Sequence, residues 1–137
     1  MDSSINSATI CIGSIEIPVF NLRRAIEWYK KALRYDCVWS DEWHAMLHPQ
    51  AVVESSAKIL LVKTDDSFRL KFKSTFTNTE HSVIDFETDD LERFHQHLLT
   101  LIPSLGAIPE PVNDWAPRGF GFEDSEGNRL AVFSYSR

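Results

Sequence analysis

Two cysteines, Cys11 and Cys37, in 137 residues make no disulfide framework, so a reduced, cytoplasmic setting is the expectation. No apolar run approaches the length of a membrane span, and the opening MDSSINSAT lacks the basic-then-apolar layout of a secretory leader. Positive charge is in short supply too: 14 Lys and Arg stand against 20 Asp and Glu, a net charge of −6. The basic residues are scattered, and Arg23, Arg24, Lys30 and Lys31 fall opposite the apolar stripe of their segment, where they read as a solvated face. Nucleic acid, which needs clustered cations, is not an expected partner, and neither is a membrane. No Ser or Cys sits in an elbow or triad-like setting, and the two glycines of RGFGF belong to a strand-like stretch, not to a phosphate loop.

What the chain does have is 43% apolar residues, enough for one globular domain over residues 1–137, and an internal echo. Ser14 to Leu33 reads SIEIPVFNLRRAIEWYKKAL, and Val83 to Ile102 reads VIDFETDDLERFHQHLLTLI. Shifted by 84 − 15 = 69 positions, Ile15 meets Ile84, Glu16 meets Asp85, Leu22 meets Leu91 and Leu33 meets Ile102. In both copies alternation gives way to helical spacing at the same place, so a strand with one apolar face runs into a helix with one apolar stripe. Two similar halves, each incomplete alone, follow from that offset.

Taken in order, the pattern predicts a strand over 10–19 and a helix from an Asn21 cap to about residues 33–35. Strands follow at 37–40, 43–48 and 58–63, the second of them ended by Pro49. Residues 1–8 read as a frayed terminus and 50–57 as a loop that AVV at 51–53 could shorten. The polar stretch 64–80 connects the halves and contains FRLKF, an exposed strand or arm. A strand at 82–88 leads to a second helix, with Asp89 and Glu92 at capping-box spacing and Pro103 as its stop. Strands at 107–112, 119–124 and 129–135 complete the pattern, the last two joined by a turn in which Gly127 takes positive φ. The fold class is α+β, with two tandem βαβββ modules at approximately 9–64 and 81–137 and a connector at 65–80.

That doubled order, with IPVFNLRRAIEWYKKAL at 17–33 and WAPRGFGFEDSEGNRLAVF at 115–133, resembles the glyoxalase/bleomycin-resistance/extradiol-dioxygenase (vicinal oxygen chelate) superfamily. One departure is Arg34, where the family often carries Gly after the helix. The resemblance implies curved mixed sheets around a concave cavity, and a homodimer with cavities near its interface. It also implies, for catalytic members, a divalent metal held by His and Glu. Those ligand positions fall on Ser14, Val83, Ala131 and a residue within 59–62. Neither Val83 nor Ala131 has a donor to give, so no metal and no cofactor are expected.

Residues two along a strand share a face, which sets Glu16 beside Ser14, Asp85 beside Val83, and Phe133 and Tyr135 beside Ala131. As partners in the repeat, Glu16 and Asp85 are expected to look into one cavity. There they either favour a cation, share a proton as an acid/base pair, or simply stand solvated at its mouth. Trp43 and Trp115, with Trp39, Phe120, Phe133 and Tyr135, are candidate walls able to stack on flat ligands or attract cations, ordinary core being the alternative for each. Arg118 is read as a structural partner of Glu123 or Asp124. His44 and His48 lie on one strand face about 13 Å apart, too far to share a metal. His95 and His97 point to different sides of the second helix, and His81 is the one candidate for a displaced ligand or base. The expected function is a metal-free small-molecule binding protein that sequesters a cationic or aromatic ligand. The alternative is an isomerase, lyase or dioxygenase using Glu16, Asp85 and His81.

Overall fold

The computed structural model describes residues 8–51 and 56–136. Most of the expected frayed terminus, and Val52 and Val53 of the possible strand extension, lie outside the described residues. Four strands form the first sheet: β1 (Ser14–Val19), β2 (Tyr35–Ser40), β3 (His44–Pro49) and β4 (Lys58–Lys63), in the order β1-β4-β3-β2. In this sheet the β1–β4 pair is parallel and the other two are antiparallel. The helix α1 (Leu22–Leu33) provides the crossover that a parallel return needs. The connector holds a two-pair hairpin, β5 (Phe72–Lys73) with β6 (Glu80–His81). The second sheet, β7 (Ile84–Glu87), β8 (Arg118–Glu123) and β9 (Arg129–Ser134), has the order β7-β9-β8, again with its first and last strands parallel. Helix α2 (Leu91–Leu101) follows β7. Among the described residues no helix is long and apolar enough to cross a membrane.

Alternation decides which faces are covered. In β1, Ile17 and Val19 are fully buried against the helix side while Ser14 and Glu16 stay exposed. In β9, Leu130, Val132 and Ser134 are buried and Ala131 and Phe133 face the other way. Tyr29, Ala25 and Ala32 of α1 and Leu91 and Leu98 of α2 close one contiguous apolar cluster with both sheets. Fully burying a side chain the size of Leu91 or Leu98 stabilises by roughly 1.5–3 kcal/mol.

The caps explain the helix boundaries. Asn21 Oδ1 accepts from Arg24 N at 3.0 Å, as the sequence predicts. At the other end Arg34 adopts the left-handed conformation (φ 56°, ψ 46°), and its N–H reaches the carbonyls of Lys30 and Tyr29. The turn therefore keeps the shape that glycine would give it, at a conformational cost of about 1 kcal/mol. In α2 the cap is Asp90, whose Oδ1 accepts from Arg93 N at 3.1 Å. The capping box expected from Asp89 is not formed, and Glu92 pairs with Arg118 instead.

A second correction concerns 107–112, which is not a strand. Pro109 and Pro111, two apart, would remove two N–H groups from one edge of any strand there. The second sheet thus has three strands where the pattern predicts four.

The turn 124–128 locks the halves together. Gly127 has φ +91°, as expected. Glu126, with only 3% of its side chain exposed, accepts from the N–H groups of Phe20 (2.8 Å) and Asn21 (2.9 Å) at the start of α1. Arg24 and Arg69 flank its carboxylate. Burial opposes the charge on Glu126, but those N–H groups and guanidinium ions outweigh it and hold the carboxyl below its usual range. Asp124 Oδ2 accepts from buried Tyr29 Oη at 2.6 Å, and burial together with that carboxylate pushes the Tyr29 hydroxyl well above its ordinary pKa. Asn128, fully buried, donates to Pro18 O and accepts from Leu70 N, both at 2.9 Å. The family-like signature at 115–133 is, in this stretch, a structural clasp.

Candidate functional site

The faces turned away from the helices are open in the single chain, and their residues line up in cross-strand rows. On the second sheet one row is Asp85, Ala131 and Gly121, and the next is Glu87, Phe133 and Gly119. A cavity of about 400 Å³ lies here, lined by Asp85, Pro117, Gly119, Ala131, Phe133 and Tyr135 among others. Its floor exists because Gly119 has no side chain. A Cβ there would stand 2.4 Å from Val132 O and 3.1 Å from Phe133 Cβ, closer than atoms can pack. Gly121 is likewise bare, and the Arg129 guanidinium lies across it, 2.5 Å from where a Cβ would be. The Phe133 and Tyr135 rings meet nearly edge-on, with centroids 5.6 Å apart. Asp85 is exposed and accepts from Ser82 Oγ at 2.5 Å. The result is a carboxylate at the rim of an apolar, aromatic-walled hollow, suited to a flat organic cation.

On the first sheet the corresponding rows are Glu16, Leu60 and Met46, then Pro18, Val62 and His44. Glu16 borders a separate cavity of about 290 Å³, with Pro18, Val62, Asp66, Phe68 and Leu70. Within one chain Glu16 and Asp85 therefore do not share a hollow, although each lies on the expected face of its strand. Trp43 is half exposed beside β3, with Lys63 Nζ 5.4 Å from its ring centroid. Trp115 is 80% exposed in the 107–117 segment, and neither tryptophan lines the Asp85 cavity. His81 sits in the hairpin, its ring against Phe72 and Nε2 3.2 Å from Thr77 Oγ1, not at that cavity. Phe120 contributes to the cavity edge but packs mainly in the core, stacked on Phe94. Arg118 is structural, though its partner is Glu92, not a neighbour on its own strand.

The chemistry of the family's metal positions can be tested on these faces. Ser14 is a lone hydroxyl, while Val83, Ala131 and the strand β4 residue on the same face, Leu60, offer no donor. Among the described residues no group of three or more His, Cys, Asp or Glu is placed to hold a metal ion. The residues do not fit the metal of the catalytic members. Ser82, Pro117 and Gly119 were not singled out by sequence reasoning. The glycines had a readable signal: in RGFGF they alternate with rings, which leaves one strand face without side chains.

No family model matches the chain, and no curated protein matches it in sequence. Solved structures do. An antibiotic binding protein from Streptomyces sp. CB03234, TnmS3, is 16% identical with a TM-score of 0.65, over 95% of this chain and 98% of that one. The fosfomycin resistance protein FosX of Listeria monocytogenes is 12% identical with a TM-score of 0.67, over 93% and 94%. A glyoxalase/bleomycin resistance protein/dioxygenase superfamily member from Sphaerobacter thermophilus DSM 20745 is 15% identical, with a TM-score of 0.63 over 92% and 98%. Identities this low speak for fold alone, and the agreement over nearly the whole length shows that the chain has the vicinal oxygen chelate fold of the glyoxalase/bleomycin-resistance/dioxygenase superfamily.

Proposed function

We propose that this protein binds a small organic molecule, cationic and aromatic, without a metal, and works by sequestering it as a homodimer. The observation that carries the reading is the convergence of Asp85, Phe133 and Tyr135 on one glycine-floored cavity. A carboxylate beside two rings stabilises a flat cation both by charge and by the ring faces, each ring contributing roughly 0.5–2 kcal/mol. The family's metal positions, filled by Ser14, Val83, Ala131 and Leu60, support binding over metal chemistry. The likeness to TnmS3, an antibiotic binding protein, is in keeping with it.

Calorimetric titration with paired cationic and neutral aromatic compounds of one shape tests the reading. Asp85→Asn weakens the cation by about tenfold, the worth of one partly screened charge, and leaves the neutral compound nearly unchanged. Glu16→Gln, in its separate cavity, has the smaller effect. Equal losses for both compounds would remove the electrostatic basis.

A further inference from the structure

The connector stretch 68–76, FRLKFKSTF, holds three basic residues and no acid in a chain of net charge −6. It also holds three exposed rings: Phe68 at 58%, Phe72 at 53% and Phe76 at 96%. Phe76 crowns the β5–β6 hairpin and is held there by a bonded turn. Ser74 N donates to Thr79 O (3.0 Å), Asn78 N donates to Ser74 O (2.8 Å), and Asn78 takes a left-handed φ of 59°. Arg69 is engaged by Glu126 and Lys71 is tied to Glu80 across the hairpin, so Lys73 and the rings are what the arm presents outward. A turn this well bonded that keeps a phenyl ring almost wholly in water is preorganised for a surface its own chain does not supply.

The opposite surface is present on the same molecule. The open face of the second sheet carries exposed Asp85 and Glu87, with Val83 at 56% and Tyr135 at 65% exposure, beside bare Gly119, the Arg129 guanidinium lying farther along over Gly121. It is acidic and aromatic where the arm is basic and aromatic, and the Asp85 cavity within it lacks an outer wall.

We infer that the hairpin arm of one copy lies across the Asp85–Glu87 face of a second copy, Lys73 against its carboxylates and Phe76 over the cavity mouth. Each cavity is then completed by a ring from the other chain. The inference builds on the homodimer reading above and names the segment that makes it. A second copy is the occupant because the acidic, aromatic face that complements the arm is present on this same chain.

Sedimentation of the full-length chain, wild type and variants, tests it. Phe76→Ser weakens dimerisation by about tenfold or more, as expected of a buried aromatic anchor. Lys73→Glu sets an acid against the acidic face, and Glu87→Lys sets like charges together from the other side, so each weakens self-association. Mixed in equal amounts, these two variants restore both contacts and pair about tenfold more tightly than either alone. A wild-type chain that stays monomeric would sink the dimer reading itself. A dimer that ignores Phe76→Ser and shows no rescue on mixing would sink only the arm. Phosphatidylserine vesicles captured by a monomeric wild type and not by Phe76→Ser would reassign the arm to membranes and overturn the inference.

Discussion

The two sheets start from the same strand-then-helix pattern and end as different surfaces. The first has four strands, and its open face carries a side chain at every position of the Glu16–Leu60–Met46 and Pro18–Val62–His44 rows. The second has three strands, and its open face is blank at Gly119, while at Gly121 the Arg129 guanidinium takes the space a side chain would fill. A proline-rich segment takes the fourth strand's place in the chain order, and Pro117 at its end borders the cavity. The larger, aromatic-walled hollow of the two arises by subtraction: one side chain, at Gly119, and one strand fewer.

Glu126 gives the strongest way to break the comparison, because it ties the start of α1 to the turn of the second sheet. Glu126→Gln removes the charge that two guanidinium ions and two N–H groups address, and costs about 2 kcal/mol at neutral pH. The folded protein holds this carboxyl below its usual range. Its contribution is therefore complete above the unfolded value of about 4.5 and disappears as pH falls through the lower folded value. Denaturant titrations of wild type and variant should differ fully at pH 7 and converge in acid; a gap independent of pH would remove the ionic account.

Next in size is Gly119→Ala. The added Cβ would meet Val132 O at 2.4 Å, so the β8–β9 spacing must give, at about 1–3 kcal/mol, and the cavity floor rises. Thermal melting should register the first effect and loss of cationic-ligand binding the second. Gly13→Ala, with nothing within 4 Å of the new Cβ, is the matched control in the first half. The smallest effect sharpens the comparison instead of breaking it. Arg34→Gly relieves the left-handed strain at the end of α1 and should stabilise by about 0.5–1 kcal/mol, measured as a raised denaturant midpoint. No gain would mean that the Arg34 side chain contributes as much as its backbone costs.

Much of the frame was legible because it rests on period and caps. Ile17, Val19, Ala25 and Tyr29 announce their faces by spacing, and all four are buried. Asn21, Pro103 and Gly127 act locally, so their neighbours in sequence suffice to read them. What the sequence hid depends on distant partners. Asp90 and not Asp89 caps the second helix, and Glu92, the other half of the expected box, is engaged by Arg118, 26 residues beyond it. The missing strand at 107–112 depended on two prolines that alternation alone does not weigh. For the candidate site, Asp85, Phe133 and Tyr135 were readable as one face, but the separation of Glu16 from Asp85 was not. The repeat says that two residues occupy equivalent places in their own sheets, and it is silent on whether those sheets face each other.

Asn128 donates to the carbonyl of Pro18 and accepts from the N–H of Leu70, two remote stretches, beside its local bond to Asp124. Its neighbours in the turn reach Phe20, Asn21, Tyr29 and Arg69 in the same way. The halves are thus not two folded bodies leaning together, since each supplies the hydrogen-bonding partners that the other's interior lacks. The internal echo draws two similar outlines, but through this one turn each half holds polar groups of the other, and a cut between them would leave those groups without their partners.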